Sequence, residues 1–140
     1  MQQEVLDNVR VYPFKFKHLQ MLLEMLKDQN YPDLEDISMR TLPKIGYIAM
    51  LDNVPIATGF LRRVEGDVVA QIDGLTSNPY LGSIIRHNGI SLVLKQLIED
   101  AKELKLKGVY AFCIDKSAIK RAEDMGFRAV GHSTLALPFT

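Results

Sequence analysis

A short and almost entirely apolar run at residues 109–114 is the feature that most constrains the fold of this chain. It follows a helical stripe at residues 90–105, in which apolar side chains recur every three or four positions. An apolar strand covered on both faces is typical of parallel pairing, and a parallel pair requires a long crossover connection. The two patterns therefore predict a right-handed β-helix-β crossover, which joins this run to an earlier strand of the same sheet.

Periodicity and turn-forming clusters divide the rest of the chain into short elements. In chain order, the predicted elements are a strand at 8–16, helices at 17–29 and 33–41, strands at 45–51, 56–64 and 68–75, the helix at 90–105, the strand at 109–114, a helix at 117–125, and one or two strands at 127–137. We expect Asp33 to cap the second helix and Gly126 to end the last one at its C′ position. The order β-α-α-β-β-β-α-β-α-β predicts an α+β or mixed α/β fold around a single sheet.

Length, charge and cysteine content limit the classes of function. The 140 residues, of which 47% are hydrophobic, suit one domain spanning 1–140 that needs neither disulfides nor a metal for its core. Seventeen basic residues balance seventeen acidic ones, which argues against a nucleic-acid partner. No apolar run approaches the ~20 residues of a membrane span, and charges interrupt the first 25 residues. We therefore expect a cytoplasmic protein with no membrane partner, which is a monomer or a homodimer.

The segment between Asp73 and Glu99 carries the clearest chemical signal. It contains no acidic residue but does contain Arg86, His87 and Lys95, at the point where a strand gives way to a long helix. A helix N-terminus presents unpaired N–H groups and a partial positive charge, which suit a phosphate. Gly89 lets a ligand approach the backbone, and Ser91 can cap the helix or bind an anion oxygen. The alternative interpretation is a tight turn between strand and helix.

The run Arg86-His87-Asn88-Gly89-Ile90-Ser91 resembles the pyrophosphate loop of the GNAT acetyltransferase superfamily, which is Arg or Gln, two residues, Gly, one residue, then Gly or Ala. Residues 118–122, which lead into Met125-Gly126-Phe127, resemble the second signature of that family, a short helix that closes in Gly-Phe. The order of the elements around both signatures resembles the family over essentially the whole chain. The resemblance implies a single twisted, mostly antiparallel sheet with helices on both faces.

This resemblance also implies a ligand and its site. The strands at 68–75 and 109–114 would splay apart, and the pantetheine arm of acetyl-CoA would lie between them, against Leu75, Thr76 and Ser77. The pyrophosphate would be held by Arg86 and by the backbone N–H groups of His87, Asn88, Gly89, Ile90 and Ser91. The implied activity is an N-acyltransferase that moves an acetyl or other acyl group from acetyl-CoA to an amine by direct attack. Acetyl-CoA and an amine-bearing acceptor are then the expected partners.

The chain departs from the family at its usual catalytic positions. Ala122 stands where a Tyr often protonates the leaving thiolate, and Asp115 stands where an Asn is common. We therefore consider Asp73 as the base, with Tyr80 as a substitute acid. Asp73 has an alternative structural role, because Asp-Gly is a turn-prone pair. The competing hypothesis is a catalytically impaired GNAT-like module that binds CoA or a protein partner.

Overall fold

Seven strands and four α-helices make up most of the computed structural model, which describes residues 2–29, 31, 33–63, 66, 68–112, 116–129 and 134–139. In chain order they are α1 (Gln2–Asp7), β1 (Val9–Pro13), α2 (Leu19–Lys27), β2 (Ile45–Leu51), β3 (Val54–Arg63), β4 (Val69–Ser77), α3 (Ser83–Glu103), β5 (Gly108–Phe112), α4 (Lys116–Asp124), β6 (Arg128–Ala129) and β7 (Thr134–Pro138). Two 3₁₀ helices, Phe16–His18 and Leu34–Asp36, lie on either side of α2.

All seven strands belong to one sheet, in the order β1-β2-β3-β4-β5-β7-β6. Every neighbouring pair is antiparallel except β4 and β5, which are parallel and are connected through α3. The three strands predicted at 45–51, 56–64 and 68–75 form an antiparallel meander, β2-β3-β4, and a two-residue turn joins β2 to β3. Asp52 in that turn has a φ of 53°, as the tight turns of hairpins require. The mixed, mostly antiparallel sheet predicted from the sequence is confirmed.

Helices α2 and α3 cover opposite faces of the sheet. Gly59 faces Val93 and Leu97 of α3, whereas the next residue, Phe60, packs with Leu22 and Leu26 of α2. Successive residues of a strand point to opposite faces, so these contacts assign one helix to each face. The α3 face holds the larger core, and full burial of a side chain such as Val93 or Leu97 contributes about 1.5–3 kcal/mol.

Glycine permits two close approaches that shape this sheet. A Cβ on Gly89 of α3 would lie 2.3 Å from Ile56 Cγ2, so α3 is seated directly on β3. On the other face, the Phe60 ring lies between Gly46 and Gly74, whose Cβ atoms would lie 2.2 and 2.7 Å from it. The ring fills the space that those two missing side chains leave.

Several local predictions are wrong. The helix predicted at 33–41 is only the 3₁₀ turn Leu34–Asp36, and Asp33 has a φ of 58° without a capping hydrogen bond from its side chain. The first helix, α1, was not predicted at all, since six residues provide too little periodicity. Helix α3 begins at Ser83, and not at residue 90. Gly126 does end α4 as predicted, with a φ of 97°.

Some positions singled out in the sequence are beyond this description. Cys113, Asp115 and His132 lie outside the described residues. Among the described helices, none combines the length and the hydropathy that a bilayer crossing requires.

Candidate functional site

Strands β4 and β5 stop pairing before either of them ends. Their parallel pairs run from Val69–Gly108 to Ile72–Ala111, whereas β4 continues to Ser77. Within the part of the chain that the structure describes, β4 therefore has no strand partner on its β5 side from residue 73 onward, although the Ser77 carbonyl accepts a hydrogen bond of 3.0 Å from Gln29 Nε2. The unpaired N–H and C=O groups of this edge can accept an extended ligand as an additional strand.

A β-bulge in β4 lies at the start of this cleft. Phe60 pairs with Asp73 and Thr58 pairs with Thr76, so that Gly74 and Leu75 together face one residue of β3. Gly74 has a φ of 60°, which glycine adopts without strain. The Thr58 hydroxyl donates a hydrogen bond of 3.0 Å to the Gly74 carbonyl. The bulge turns the backbone of β4 where the two strands separate.

A small apolar cavity lies on the α3 side of the cleft. Its volume is about 60 Å³, and its walls are formed by Leu75, Ile90, Leu94, Ala111, Arg121, Ala122 and Phe127. Two of the predicted cofactor-binding residues, Leu75 and Ile90, therefore line the same cavity. Ala122, at the position that often holds a Tyr in GNAT proteins, is 6% exposed and presents only a methyl group. This wall therefore has no proton to donate at that position.

The beginning of α3 lies beside the end of β4. Gly82 precedes the helix in an extended conformation and supplies no side-chain cap, and the first intrahelical bond in this turn runs from Arg86 N to Gly82 O at 3.1 Å. The N–H groups of residues 83–85 have no partner within the helix. Arg86 Nε donates a hydrogen bond of 2.9 Å to Ser77 Oγ. Since the first turn has no acidic residue, this region suits an anion.

The predicted phosphate loop is therefore not a loop. Arg86, His87, Asn88, Gly89, Ile90 and Ser91 lie within α3, where backbone N–H groups bond to the preceding turn. The prediction that His87 to Ser91 donate to a pyrophosphate is wrong for this reason. Gly89 is buried against Ile56 and His87 is exposed. The backbone N–H groups of residues 83–85 remain available as hydrogen-bond donors. The sequence signal for this helix start was Gly82 followed by Ser83.

Asp73 is held by two hydrogen bonds. Its Oδ2 accepts from Arg62 Nε at 2.8 Å and forms an ion pair with Arg62 Nη2 at 2.8 Å. Its Oδ1 accepts from the Gly74 N–H at 2.9 Å. Because Asp73 pairs with Phe60, it lies on the α2 face of the sheet, opposite the small cavity. Gln71, two residues earlier on β4, shares that face.

Tyr80 lies beyond the end of β4 and is 79% exposed. A hydrogen bond with Asp28, followed by the charge of that carboxylate, raises the pKa of Tyr80. Even Ser77, the last residue of β4 before Tyr80, is four residues from Asp73, which is about 13 Å along the strand at ~3.3 Å per residue. The two predicted catalytic residues therefore contact different elements, β3 for Asp73 and the end of α2 for Tyr80.

The sequence analysis did not assign Arg62, Leu94, Ala111 or Arg121 to the site. Arg62 reaches Asp73 across the β3–β4 pair, and the other three line the cavity together with Phe127 of the Gly-Phe signature. No short-range pattern identifies these four residues, because each contact joins distant segments. Among the described residues, no three His, Cys, Asp or Glu side chains group as metal ligands.

No protein-family model and no curated protein matches the sequence. Many solved structures do match the fold. One is an acetyltransferase of the GNAT family from Staphylococcus aureus Mu50, with a TM-score of 0.74, 15% identity, and coverage of 94% of this chain and 99% of that one. Another is the ribosomal-protein-S18-alanine N-acetyltransferase from Escherichia coli, with a TM-score of 0.69, 12% identity and 94% coverage of each chain.

A third similar structure contains a ligand. It is N-acetylglutamate synthase from Neisseria gonorrhoeae complexed with coenzyme A and L-arginine, with a TM-score of 0.70 and 9% identity. The match covers 94% of this chain and 33% of the synthase. At these identities the three likenesses establish a shared fold.

Proposed function

We propose that this chain, which has the fold of the GNAT acetyltransferases, transfers an acetyl or other acyl group from acetyl-CoA to an amine. The observation that carries the proposal is the cleft where β4 and β5 separate, with its bulge at Gly74. A fold match to a synthase solved with coenzyme A supports acetyl-CoA as the donor.

The cleft offers complementary groups to each part of the donor. The amides of a pantetheine arm would bond to the edge of β4 at Leu75, Thr76 and Ser77, and at Ser77 they would replace the Gln29 side chain, which donates to the Ser77 carbonyl at 3.0 Å. The pyrophosphate would lie at the beginning of α3, on the N–H groups of residues 83–85, with Arg86 beside it. The cavity of about 60 Å³ is small against the ~300–1,000 Å³ of ligand pockets. Arg121 or α4 must therefore move to admit the arm.

The reaction needs two bond changes and two proton transfers. The neutral amine nitrogen attacks the thioester carbonyl carbon, the C–N bond forms, and the C–S bond breaks to release the coenzyme A thiolate. A base removes one proton from the nitrogen and an acid gives one to the thiolate. Backbone N–H groups at the bulge would stabilise the oxyanion. Asp73, with Gln71 orienting a water, is the proposed base. Tyr80, whose hydroxyl lies at Asp28 in this structure, is the proposed acid on condition that the connection between β4 and α3 carries it to the thiolate.

A second function is favoured by the methyl group of Ala122 in the cavity wall. Without a hydroxyl there, the protein would be a GNAT-like module that binds CoA or a protein partner and turns over slowly or not at all. Calorimetry with acetyl-CoA, followed by thiol release against a panel of amines, separates the two functions. Turnover supports the enzyme, binding without turnover supports the module, and no binding contradicts both. Lower turnover in the Tyr80→Phe variant would identify Tyr80 as the acid that protonates the thiolate, whereas full activity would leave that protonation to solvent.

The binding site itself is tested by Arg86→Ala, with Lys95→Ala as the matched control. Both remove a cation from α3, but Lys95 is exposed and lies three turns into the helix. One charged hydrogen bond is worth about 1.5–3 kcal/mol, so Arg86→Ala should weaken CoA binding at least about tenfold. Pantetheine, which lacks the pyrophosphate, should bind both variants equally. Equal CoA affinity of both variants would move the pyrophosphate away from the start of α3.

A further inference from the structure

A second and larger cavity lies near the opposite edge of the sheet, where β1 and β2 meet the start of α2. Its volume is about 430 Å³, within the usual range for small-molecule sites. Its walls are formed by Tyr12, Pro13, Lys15, Lys17, His18, Met21, Met50, Asp52 and Asn53. None of these residues lines the cleft cavity. Three strand spacings of ~4.7–4.9 Å separate β1 from β4, or about 14 Å, so the two cavities are separate sites.

His18 gives this cavity a fixed hydrogen-bond donor. The residue is only 6% exposed, and its Nδ1 accepts a hydrogen bond of 3.0 Å from the Lys15 N–H. A neutral imidazole has one acceptor and one donor nitrogen, so Nε2 carries the proton. Among the described residues, none accepts a hydrogen bond from Nε2. The Phe14 ring, whose centroid lies 5.7 Å away, helps to hold the imidazole in place.

Two lysines add positive charge next to this donor. Lys15 and Lys17 line the same cavity as His18. Burial, then the charge of Lys17, then that of Lys15 lower the pKa of His18. Within the described part of the chain, neither lysine has a carboxylate within salt-bridge distance. Asp52 is the only carboxylate in the wall, so two lysines against one aspartate leave one net positive charge.

The rest of the wall is largely apolar. Met21 from α2 and Met50 from β2 bring flexible thioether side chains, which adapt to ligands of irregular shape. Tyr12 and Pro13 at the end of β1 complete this surface. A cavity with convergent polar groups and an apolar wall is the usual form of a small-molecule site.

We propose that this cavity binds a small organic monocarboxylate with an apolar body. The carboxylate accepts from His18 Nε2 and from the ammonium groups of Lys15 and Lys17, and the hydrocarbon lies on Met21 and Met50. The positive groups attract an anion, and the apolar wall at Met21 and Met50 favours an anion with a hydrocarbon body over inorganic phosphate, which has none. The site thus recognises a ligand chemistry that differs from the pantetheine and pyrophosphate of acetyl-CoA.

The test is a titration of the full chain with phenylacetate, followed by the NMR signals of the His18 ring. Phenylacetate should shift these signals, whereas phenylacetamide, its uncharged counterpart, and inorganic phosphate should not. The double variant Lys15→Gln, Lys17→Gln should bind phenylacetate about tenfold more weakly. The control Lys27→Gln, Lys44→Gln changes the net charge equally at exposed lysines outside the cavity, and should bind as the parent does.

Four results would overturn the proposal. The first is no binding of phenylacetate, and the second is binding that leaves the His18 signals in place. The third is equal binding of phenylacetamide or phosphate, which would refute the monocarboxylate class. The fourth is an equal loss of affinity in both lysine double variants, which would reduce the effect to net charge.

Discussion

Both carboxylate oxygens of Asp73 are engaged, one by Arg62 and one by the Gly74 N–H. The second bond spans a single residue and supports the positive φ of Gly74, which gives the side chain a role in shaping the bulge. A base in acyl transfer needs the same carboxylate to accept a proton, directly or through a water. Only the role of base needs a charged carboxylate. An Asn side chain at this position could still accept the hydrogen bond from the Gly74 N–H.

Asp73→Asn separates these roles. If Asp73 is the base, turnover should fall about 10²-fold while acetyl-CoA affinity stays within a few-fold, because the amide retains the bond to Gly74 but cannot take a proton. Steady-state kinetics from about pH 6 to about pH 9, with calorimetry of donor binding, measures both. The exposed carboxylate variant Asp7→Asn serves as control. Unchanged turnover across that range would leave Asp73 with a structural role alone.

His18 makes a second prediction, on the pH dependence of stability. Burial and the two neighbouring lysines lower the pKa of His18, so the unfolded chain binds its proton more readily than the folded one. This contribution to stability is therefore present above the ordinary value of 6.5 and is lost as the pH falls through the lowered folded value. Urea unfolding at a series of pH values should show that the free energy of unfolding declines as the pH falls. This decline should be smaller in the His18→Gln variant and unchanged in the control His87→Gln, which retains His18. A decline of the same size in His18→Gln as in the parent would contradict the prediction.

At the scale of elements, α3 shows where local patterns mislead. Arg86-His87-Asn88-Gly89 is polar and contains a helix breaker, so by itself it favours a turn. In the folded chain the missing side chain of Gly89 allows α3 to approach Ile56, and burial of the following Ile90, Val93 and Leu94 stabilises the helix. Tertiary packing thus outweighs a propensity difference of about 1 kcal/mol.

This packing predicts a coupling between Gly89 and Ile56. Gly89→Ala should lower the free energy of unfolding by about 1–3 kcal/mol, because its Cβ would lie 2.3 Å from Ile56 Cγ2. In an Ile56→Ala background that Cγ2 is absent, so the same change should cost less or become stabilising through helix propensity. Denaturant unfolding of the four proteins in this double-mutant cycle gives the coupling. Additive effects would contradict the close approach of α3 to β3.

Across the whole molecule, the sheet separates two cavities of different chemistry. The cleft cavity lies on the α3 face between β4 and β5, and the monocarboxylate cavity lies about 14 Å away over β1 and β2. They share no lining residue, and strands β2 and β3 pair with their neighbours along most of their length. A rigid sheet of this kind gives one ligand little means to alter the other site.

We therefore expect CoA and phenylacetate to bind independently. Saturating phenylacetate should leave the CoA dissociation constant within about twofold, and the stabilisation by both ligands should equal the sum of the separate effects. Calorimetry and thermal unfolding with each ligand alone and with both provide the comparison. Competition would place both ligands in one site, and a coupling above about 1 kcal/mol would require a conformational link between the cavities.

The sequence by itself determined the order of elements from β2 to α4 and the end of α4 at Gly126. These features depend on periodicity and turn chemistry within about ten residues, which act before the chain is compact. Only the tertiary structure decided where β4 and β5 separate, where α3 begins, and which residues surround each cavity. Arg62 meets Asp73, and Lys15 lines the same cavity as Met50, only because the pairing of strands brings distant segments together. Such contacts depend on packing between elements, and no pattern within a single element contains that information.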